Sequence, residues 1–357
     1  MANESRSSAT PQATSLFTAT RAPDHAWLDR VPAEAPIEPE LAIVDPHMHL
    51  WDHKTGYRYF VPEFARDVAA SGHTIDATVF IECHAMYRAT GPEHLRWVGE
   101  TEFAVGMAAM AASGKYTNCQ AAAAIVGYAD LTLGDRTRAT LEAHVEAANG
   151  RFRGVRQRGK WDPDPAVNGP VGADRTGVYL EKEFGEGIDL LTSMGLSFDA
   201  SVFHTQLSQV TALARAHPDA TIVLVHTGSP LGHSSYVGRE AEVHANWLAG
   251  MKELATCPNV SVKLGGLLMC LGNFDFSTAE IPPTSEQLER LWRPYLEPCL
   301  ELFGAERCMA SSNFPVEKAG MPYGTVWNMF KRLIAGCSLE EKKLILGGTA
   351  RRIYRLP

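Results

Sequence analysis

The sequence predicts an α/β chain folded as one (β/α)8 barrel behind an extended N-terminal arm. Three observations lead there. Short apolar runs rich in β-branched residues recur eight times along the chain, the pattern of strands buried on both faces of a parallel sheet. Amphipathic stretches such as 136–149, 206–216 and 240–255 lie between them. The length, 357 residues with 45% hydrophobic content, suits a barrel of this kind as a single unit. No GxGxxG follows the first run, which weakens a dinucleotide-binding alternative.

Residues 1–40, rich in Ser, Thr, Ala and Pro, form the arm. Within it, 1–14 read as disordered, and 23–40, with Trp27 and Leu28, as extended chain lying over the domain. The barrel occupies 41–357. Its strands are expected at 41–45, 77–82, 122–128, 152–157, 196–202, 221–225, 260–264 and 307–310. In the tail, Ser338-Leu-Glu-Glu341 is a capping box ahead of a helix. Gly347-Gly348 should break that helix, and 349–355 should form a last one against the barrel's base.

A net charge of −8 without a basic run argues against nucleic acid as a partner. The seven cysteines are scattered with no CxxC pair. That argues against a disulfide framework or a cysteine zinc site and fits a reducing cytoplasm. No apolar stretch approaches the roughly 20 residues of a membrane helix, and the N-terminus lacks the charged start and apolar core of a signal peptide. The expected location is therefore cytoplasmic. The expected partner is a small-molecule substrate, with a homo-oligomer left open.

In such a barrel the chemistry gathers at the C-terminal strand ends. The first run feeds Asp45-Pro46-His47-Met-His49. Strand residues two apart share a face, so His47 and His49 reach one space. Two neutral imidazoles there suit a divalent transition metal or a pair of polarising donors. The second strand ends in Glu82 and His84, the fourth in Arg156 and Arg158, the fifth in His204, the sixth in His226, the seventh in Lys263 and the eighth in Asn313. A lone His204 or His226 would more often be a satisfied structural histidine, but four strand-end histidines in one barrel are harder to dismiss. Arg156 and Arg158 suit a carboxylate or a lactone carbonyl, because guanidinium binds planar oxygens in pairs; as surface charges they would tolerate replacement, and Arg156→Met is expected to weaken substrate binding while sparing folding. Lys263 either lines the site or caps a barrel layer. Glu82 is a candidate ligand, base or orienter of a histidine. Trp51, Tyr87, Trp161 and Phe314 supply apolar walls or simply pack.

Taken in order, DPHMHLWD (45–52), RFRGVRQ (151–157), FDASVFHTQL (198–207), TIVLVHTGSP (221–230), NVSVKLGGL (259–267) and RCMASSNFPVEK (307–318) resemble the amidohydrolase superfamily, in its TIM-barrel branch of sugar and pyrone dicarboxylate lactonases. The resemblance spans about 41–356. It implies a divalent metal, zinc or manganese, on His47, His49, His204 and the residue at 313, although some lactonases of the branch are metal-free. It also implies catalytic roles for His226, His204 and position 313; the strand-end reading adds Glu82 as a catalytic candidate and Arg156, Arg158, His84, Lys263 and Trp51 as substrate contacts. The family's usual aspartate after strand eight, which accepts the proton of the attacking water, is here Asn313. An amide carries no charge and is no base near neutral pH. Three explanations stand: an inactivating Asp→Asn change, a base elsewhere among Glu82, His204 and His226, or chemistry that needs no base at 313. The leading reading is hydrolysis of a small ester-like bond, most simply a lactone of a carboxylate-bearing or aromatic-derived compound. The alternatives are a metal-dependent lyase of an aromatic-derived acid, either decarboxylase or hydratase, and a silent barrel that only binds a ligand.

Overall fold

The computed structural model describes residues 22–52, 57–168, 175–271 and 279–356. Eight strands build the barrel: β1 (Ile43–Met48), β2 (Ile75–Ile81), β3 (Gln120–Gly127), β4 (Phe152–Val155), β5 (Ser197–Ala200), β6 (Ile222–Leu224), β7 (Val260–Leu264) and β8 (Cys308–Ala310). After each comes a long helix: α1 (Val61–Ser71), α2 (Val98–Ala112), α3 (Arg138–Ala147), α4 (Lys182–Ser193), α5 (Leu207–Ala216), α6 (Glu240–Leu254), α7 (Ser285–Phe303) and α8 (Tyr323–Leu333). The strands follow one another around the sheet in chain order, every neighbour parallel. The first and last strands meet beyond β8, where Met48 bridges Phe314. There the Asn313 N–H donates to His47 O at 2.9 Å and the His49 N–H to Phe314 O at 2.7 Å.

All eight apolar runs become strands, with shifted ends except at β7, which spans 260–264 as expected. β1 runs on through His47 rather than stopping at 45. Asp45 explains this: its carboxylate accepts from the His47 N–H at 3.2 Å and the Ser312 N–H at 3.1 Å, holding the segment extended against the β8 loop. β6 is shorter than expected because the chain leaves it at Val225 for a tight turn over His226–Gly228. A small antiparallel pair, Trp51–Asp52 with Arg58–Tyr59, was not expected from the sequence. In the tail the capping box forms, with the Ser338 N–H on Glu341 Oε2 at 2.8 Å. The glycine pair does not break the helix. It widens into a π-turn over Leu344–Gly348 and continues as Thr349–Ile353. A Cβ on Gly347 would lie 3.2 Å from the Val44 backbone nitrogen, so the missing side chain lets the tail press against the base of β1.

That last helix plugs the barrel from below. Ala350, Ile353 and Tyr354 pack with Val44, Val79, Val126, Val223 and Met309 from the strands. Above the plug, Lys263 Nζ donates to Asp199 Oδ2 at 2.6 Å, and Tyr354 Oη donates to the same carboxylate at 3.0 Å. Both charged side chains are fully buried, an arrangement that holds only while each has its partner.

The described part of the N-terminal segment lies on α7 and α8; residues 1–14, expected to be disordered, lie outside the described residues. It is not wholly extended, since His25–Leu28 makes one helical turn capped by Asp24. Trp27 and Leu28 are buried, and the indole N–H donates to Ala279 O at 2.8 Å. Asn328 on α8 ties the segment down. Its Nδ2 donates to Ala35 O at 3.0 Å and Glu34 Oε2 at 3.2 Å, and its Oδ1 accepts from the Ile37 N–H at 2.9 Å. No described helix is long and apolar enough to cross a membrane.

Two outcomes follow for stability. Asn328→Leu strands buried backbone groups, each costing about 1–3 kcal/mol; urea unfolding should show a lower midpoint, and an unchanged midpoint would contradict the tie. Asp199→Leu leaves Lys263 charged and alone, a loss of about 3–5 kcal/mol. The double change Asp199→Leu with Lys263→Met should recover most of it. A double variant no more stable than Asp199→Leu would show that the pair is not what the barrel interior depends on.

Candidate active site at the barrel mouth

The mouth is built from side chains that the strand ends cannot help but crowd. His47, fully buried on β1, stands edge-to-face with His49 at a ring separation of 5.1 Å. Its ring is 4.4 Å from that of His226 at the end of β6, so strands one and six meet across the barrel as the closed topology requires. His49 Nδ1 lies 2.7 Å from Ile81 O. A carbonyl only accepts, so Nδ1 carries the proton and Nε2 is left as the acceptor. The other face of His49 stacks on Trp51 at 5.8 Å. Behind His226 stands Gly266, where a Cβ would fall 2.0 Å from His226 Nδ1. His226, Thr227 and Asn313 all adopt positive φ, at 53°, 54° and 53°, backbone strain of the sort that collects at functional sites.

Burial alone disfavours protonated imidazoles here. His49 is held down at about 3, by burial first and then by Arg156. His226 is pushed well below the ordinary histidine value by burial, then by Lys160 and Arg156. His47 is lowered likewise, by burial and then by His226 and Lys263. All three are neutral near pH 7.

Glu82 anchors the cationic side. Arg156 Nε donates to its Oε1 at 2.6 Å, and a second guanidinium nitrogen donates to its backbone carbonyl. Arg158 approaches the same oxygen at 3.8 Å and His84 Nε2 approaches Oε2 at 3.6 Å. Burial pushes the Glu82 carboxyl up, but Arg156, Arg158 and His84 together outweigh it and hold it at about 2. With two nitrogens committed, Arg156 presents Nη1 3.4 Å from His47 Nε2. The expectation that Arg156→Met would spare folding does not survive this geometry, because Arg156 is 3% exposed and its loss strands a buried carboxylate.

The structure also places residues that the strand-end reading passed over. Lys160 is buried beside Phe203, its Nζ 5.2 Å from the ring, and its charge is felt by both His226 and His233. Its signal was present in the sequence: Arg156, Arg158 and Lys160 alternate along one extended segment. Asp199, a charge inside an apolar run, is the partner of Lys263. Lys263 therefore lies beneath the histidines, engaged with Asp199 and Tyr354. His204 opens the turn after β5 and packs on Tyr236 at 5.6 Å; Tyr236 Oη in turn donates to Asp162 at 2.6 Å. Burial holds His204 at about 4. His84, at positive φ, is partly exposed and pairs with Tyr87 Oη at 3.0 Å. Asn313 Nδ2 donates to Glu317 Oε1 at 3.2 Å, and Glu317 is itself buried.

The resemblance implies a divalent metal on His47, His49, His204 and Asn313. Among the described residues, no three His, Cys, Asp or Glu side chains converge closely enough to hold one. The guanidinium of Arg156 stands against one ring nitrogen of His47, position 313 offers an uncharged amide, and the nearest carboxylate, Glu82, is taken by Arg156. This donor set does not fit a divalent cation.

The amidohydrolase family model matches residues 44–356. An uncharacterised protein of Sinorhizobium fredii, y4mH, is 33% identical over 333 residues, which is 89% of this chain and 99% of that protein. An L-fucono-1,5-lactonase of Burkholderia multivorans is 28% identical over 236 residues, 66% of this chain and 72% of the lactonase. Among solved structures, an amidohydrolase from Burkholderia multivorans with bound zinc superposes with a TM-score of 0.67 at 23% identity, over 88% of this chain and 100% of that one; at that identity the likeness is one of fold. The match over nearly the whole barrel shows that this chain belongs to the amidohydrolase family and is an enzyme of hydrolase-like type.

Proposed function

We propose that this enzyme hydrolyses a lactone that carries a carboxylate. The observation that supports this most is the row Arg156, Arg158 and Lys160 facing three neutral histidines across the mouth. Similarity to L-fucono-1,5-lactonases supports the lactone part of the reading. Arg158 and Lys160 take the substrate's carboxylate. Arg156, fixed by Glu82, turns Nη1 to the ring carbonyl and stabilises the oxyanion as water attacks. His226 accepts the water proton. The tetrahedral adduct collapses, its ring C–O bond breaks, and the proton passes to the departing alkoxide to give a hydroxy acid. Burial lowers the basicity of His226 most and Lys160 next; a carboxylate held by Lys160 would offset the second of these and so favour proton uptake by His226.

The test compares a carboxylate-bearing probe, D-glucaro-1,4-lactone, with a neutral one, D-glucono-1,5-lactone. Loss of a charged hydrogen bond costs about 1.5–3 kcal/mol. Arg158→Met and Lys160→Met should therefore raise KM for the first by about 10–100-fold and leave the second nearly unmoved. Equal effects on both probes would show that the row does not hold a carboxylate. Gly266→Ala drives a methyl group into His226. Turnover should fall at least about 100-fold while far-UV circular dichroism stays that of the parent. Undiminished turnover would remove His226 from the mechanism.

A further inference from the structure

The peptide unit between Glu82 and Cys83 is held from both ends. Its carbonyl, Glu82 O, accepts from Arg156 Nη2, and its N–H, on Cys83, donates to Glu100 Oε1 at 2.8 Å. The C=O and N–H of a trans peptide point opposite ways, so Glu100 stands behind the unit that Arg156 grips from the front. The same Glu100 oxygen accepts from the Ala85 N–H at 2.9 Å. The two N–H groups converge on one atom because His84 between them has a φ of 61°, a backbone concavity of the kind that receives an oxygen. Its occupant here is internal: Glu100 comes from α2 and is 2% exposed. Gly99 lets α2 come that close, since a Cβ there would fall 2.6 Å from Met86 O and 2.7 Å from Arg88 N. Nothing in the hydrolytic steps uses the Glu100 carboxyl.

We infer that Glu100 is a positioning residue that aims Arg156 through the Glu82–Cys83 peptide. A peptide plane turns as a unit about the single bonds on either side of it, and its carbonyl turns with it. The loop after β2 holds His84 and Met86 at positive φ, 61° and 56°, and such conformations persist only where the surroundings fix them. Glu100 does so here. With the Cys83 N–H held, Glu82 O stays toward Arg156, and the guanidinium keeps two fixed partners, that carbonyl and Glu82 Oε1 at 2.6 Å. Its remaining nitrogen, Nη1, is thereby left 3.4 Å from His47 Nε2. Without Glu100 the carbonyl turns, the guanidinium pivots about the Glu82 carboxylate alone, and Nη1 loses its direction. Burial first, and then Glu82, push the Glu100 carboxyl up, whereas cations hold Glu82 down. Of the two carboxyls Glu100 is the one that keeps a proton, and glutamine is its close mimic.

The role at turnover rests on the hydrolase reading; the aim of Arg156 does not, and the test separates them. In the free protein, the guanidinium N–H signals of Arg156, assigned by their loss in Arg156→Lys, are read by nuclear magnetic resonance. A guanidinium held by two partners turns slowly about its Cζ–Nη bonds and shows separate Nη signals. They should be separate in the parent and in Glu100→Gln, and should merge in Glu100→Leu. Should Glu100→Leu not fold, Glu100→Asp, whose carboxyl is set back by one methylene, takes its place in the same reading. Signals unmoved by the change would overturn the inference, and this measurement needs no substrate. On whichever of the two lactone probes the parent hydrolyses, Glu100→Leu should lower kcat about 10–100-fold with KM within about twofold, and Glu100→Gln should retain at least about a third of the turnover. In an Arg156→Lys background, Glu100→Leu should cost nothing further. A further loss of the same size there would show that Glu100 acts through another group and overturn its positioning role, as would Glu100→Gln and Glu100→Leu failing alike while both melt as the parent does. A parent inert toward both lactones would sink the lactonase reading and leave the spectra to decide this one.

Discussion

The mouth depends on one buried carboxylate. Asp45 lies mid-strand in β1 and accepts from the His47 N–H, from the Ser312 N–H and Oγ at 3.1 and 2.5 Å, and from Tyr323 Oη at 3.0 Å. Burial raises its pKa even so, since desolvation outweighs those bonds. The bonds join the first strand to the loop after the last and to α8 behind it. A barrel closes only if its first and last strands find each other, and the apolar runs alone do not fix where they meet. Asp45 fixes that register. Because His47, His49 and Asn313 hang from the two segments it joins, closure of the fold and alignment of the site are a single event.

Once closed, the mouth sets charges against uncharged rings. Arg156 and Arg158 face Glu82, and Lys160 faces the histidines. Burial first, and then nearby charges, Arg156, Arg158, Lys160 and Lys263 among them, lower the basicity of His47, His49 and His226. Those imidazoles are held neutral by their surroundings rather than by any bond they make. Lys263 sits lower, where Asp199 supplies the counter-charge that a buried ammonium needs.

The sequence was most legible where a residue's role follows from period. Eight apolar runs became eight strands, and His47 on β1 with His49 just past it meet as expected; Glu82, His84, Arg156 and Arg158 lie beyond the ends of their strands, where the last three converge on the Glu82 carboxylate instead. It was least legible where contacts span the chain. Asp199 meets Lys263 and Tyr354, and Asn328 meets Glu34, Ala35 and Ile37; no local pattern links such positions. Glycines misled for a related reason. Gly347-Gly348 reads as a helix stop, yet its smallness serves the close approach to Val44, a neighbour some three hundred residues away.

Asparagine at 313 reads as a defect only if the position is judged by itself. A carboxylate there would come to lie against Glu317 Oε1, at the distance where the amide nitrogen now donates. Two carboxyl groups so placed in a buried site cannot both ionise, and one must keep a proton. The usual solution is a cation between them, and the cations of this mouth are turned the other way, toward Glu82 and the histidines. With an amide at 313, the same contact becomes a donor meeting an acceptor. The asparagine and the buried glutamate therefore fit each other: a second carboxyl beside Glu317 would be unfavourable where an amide that donates to it is not.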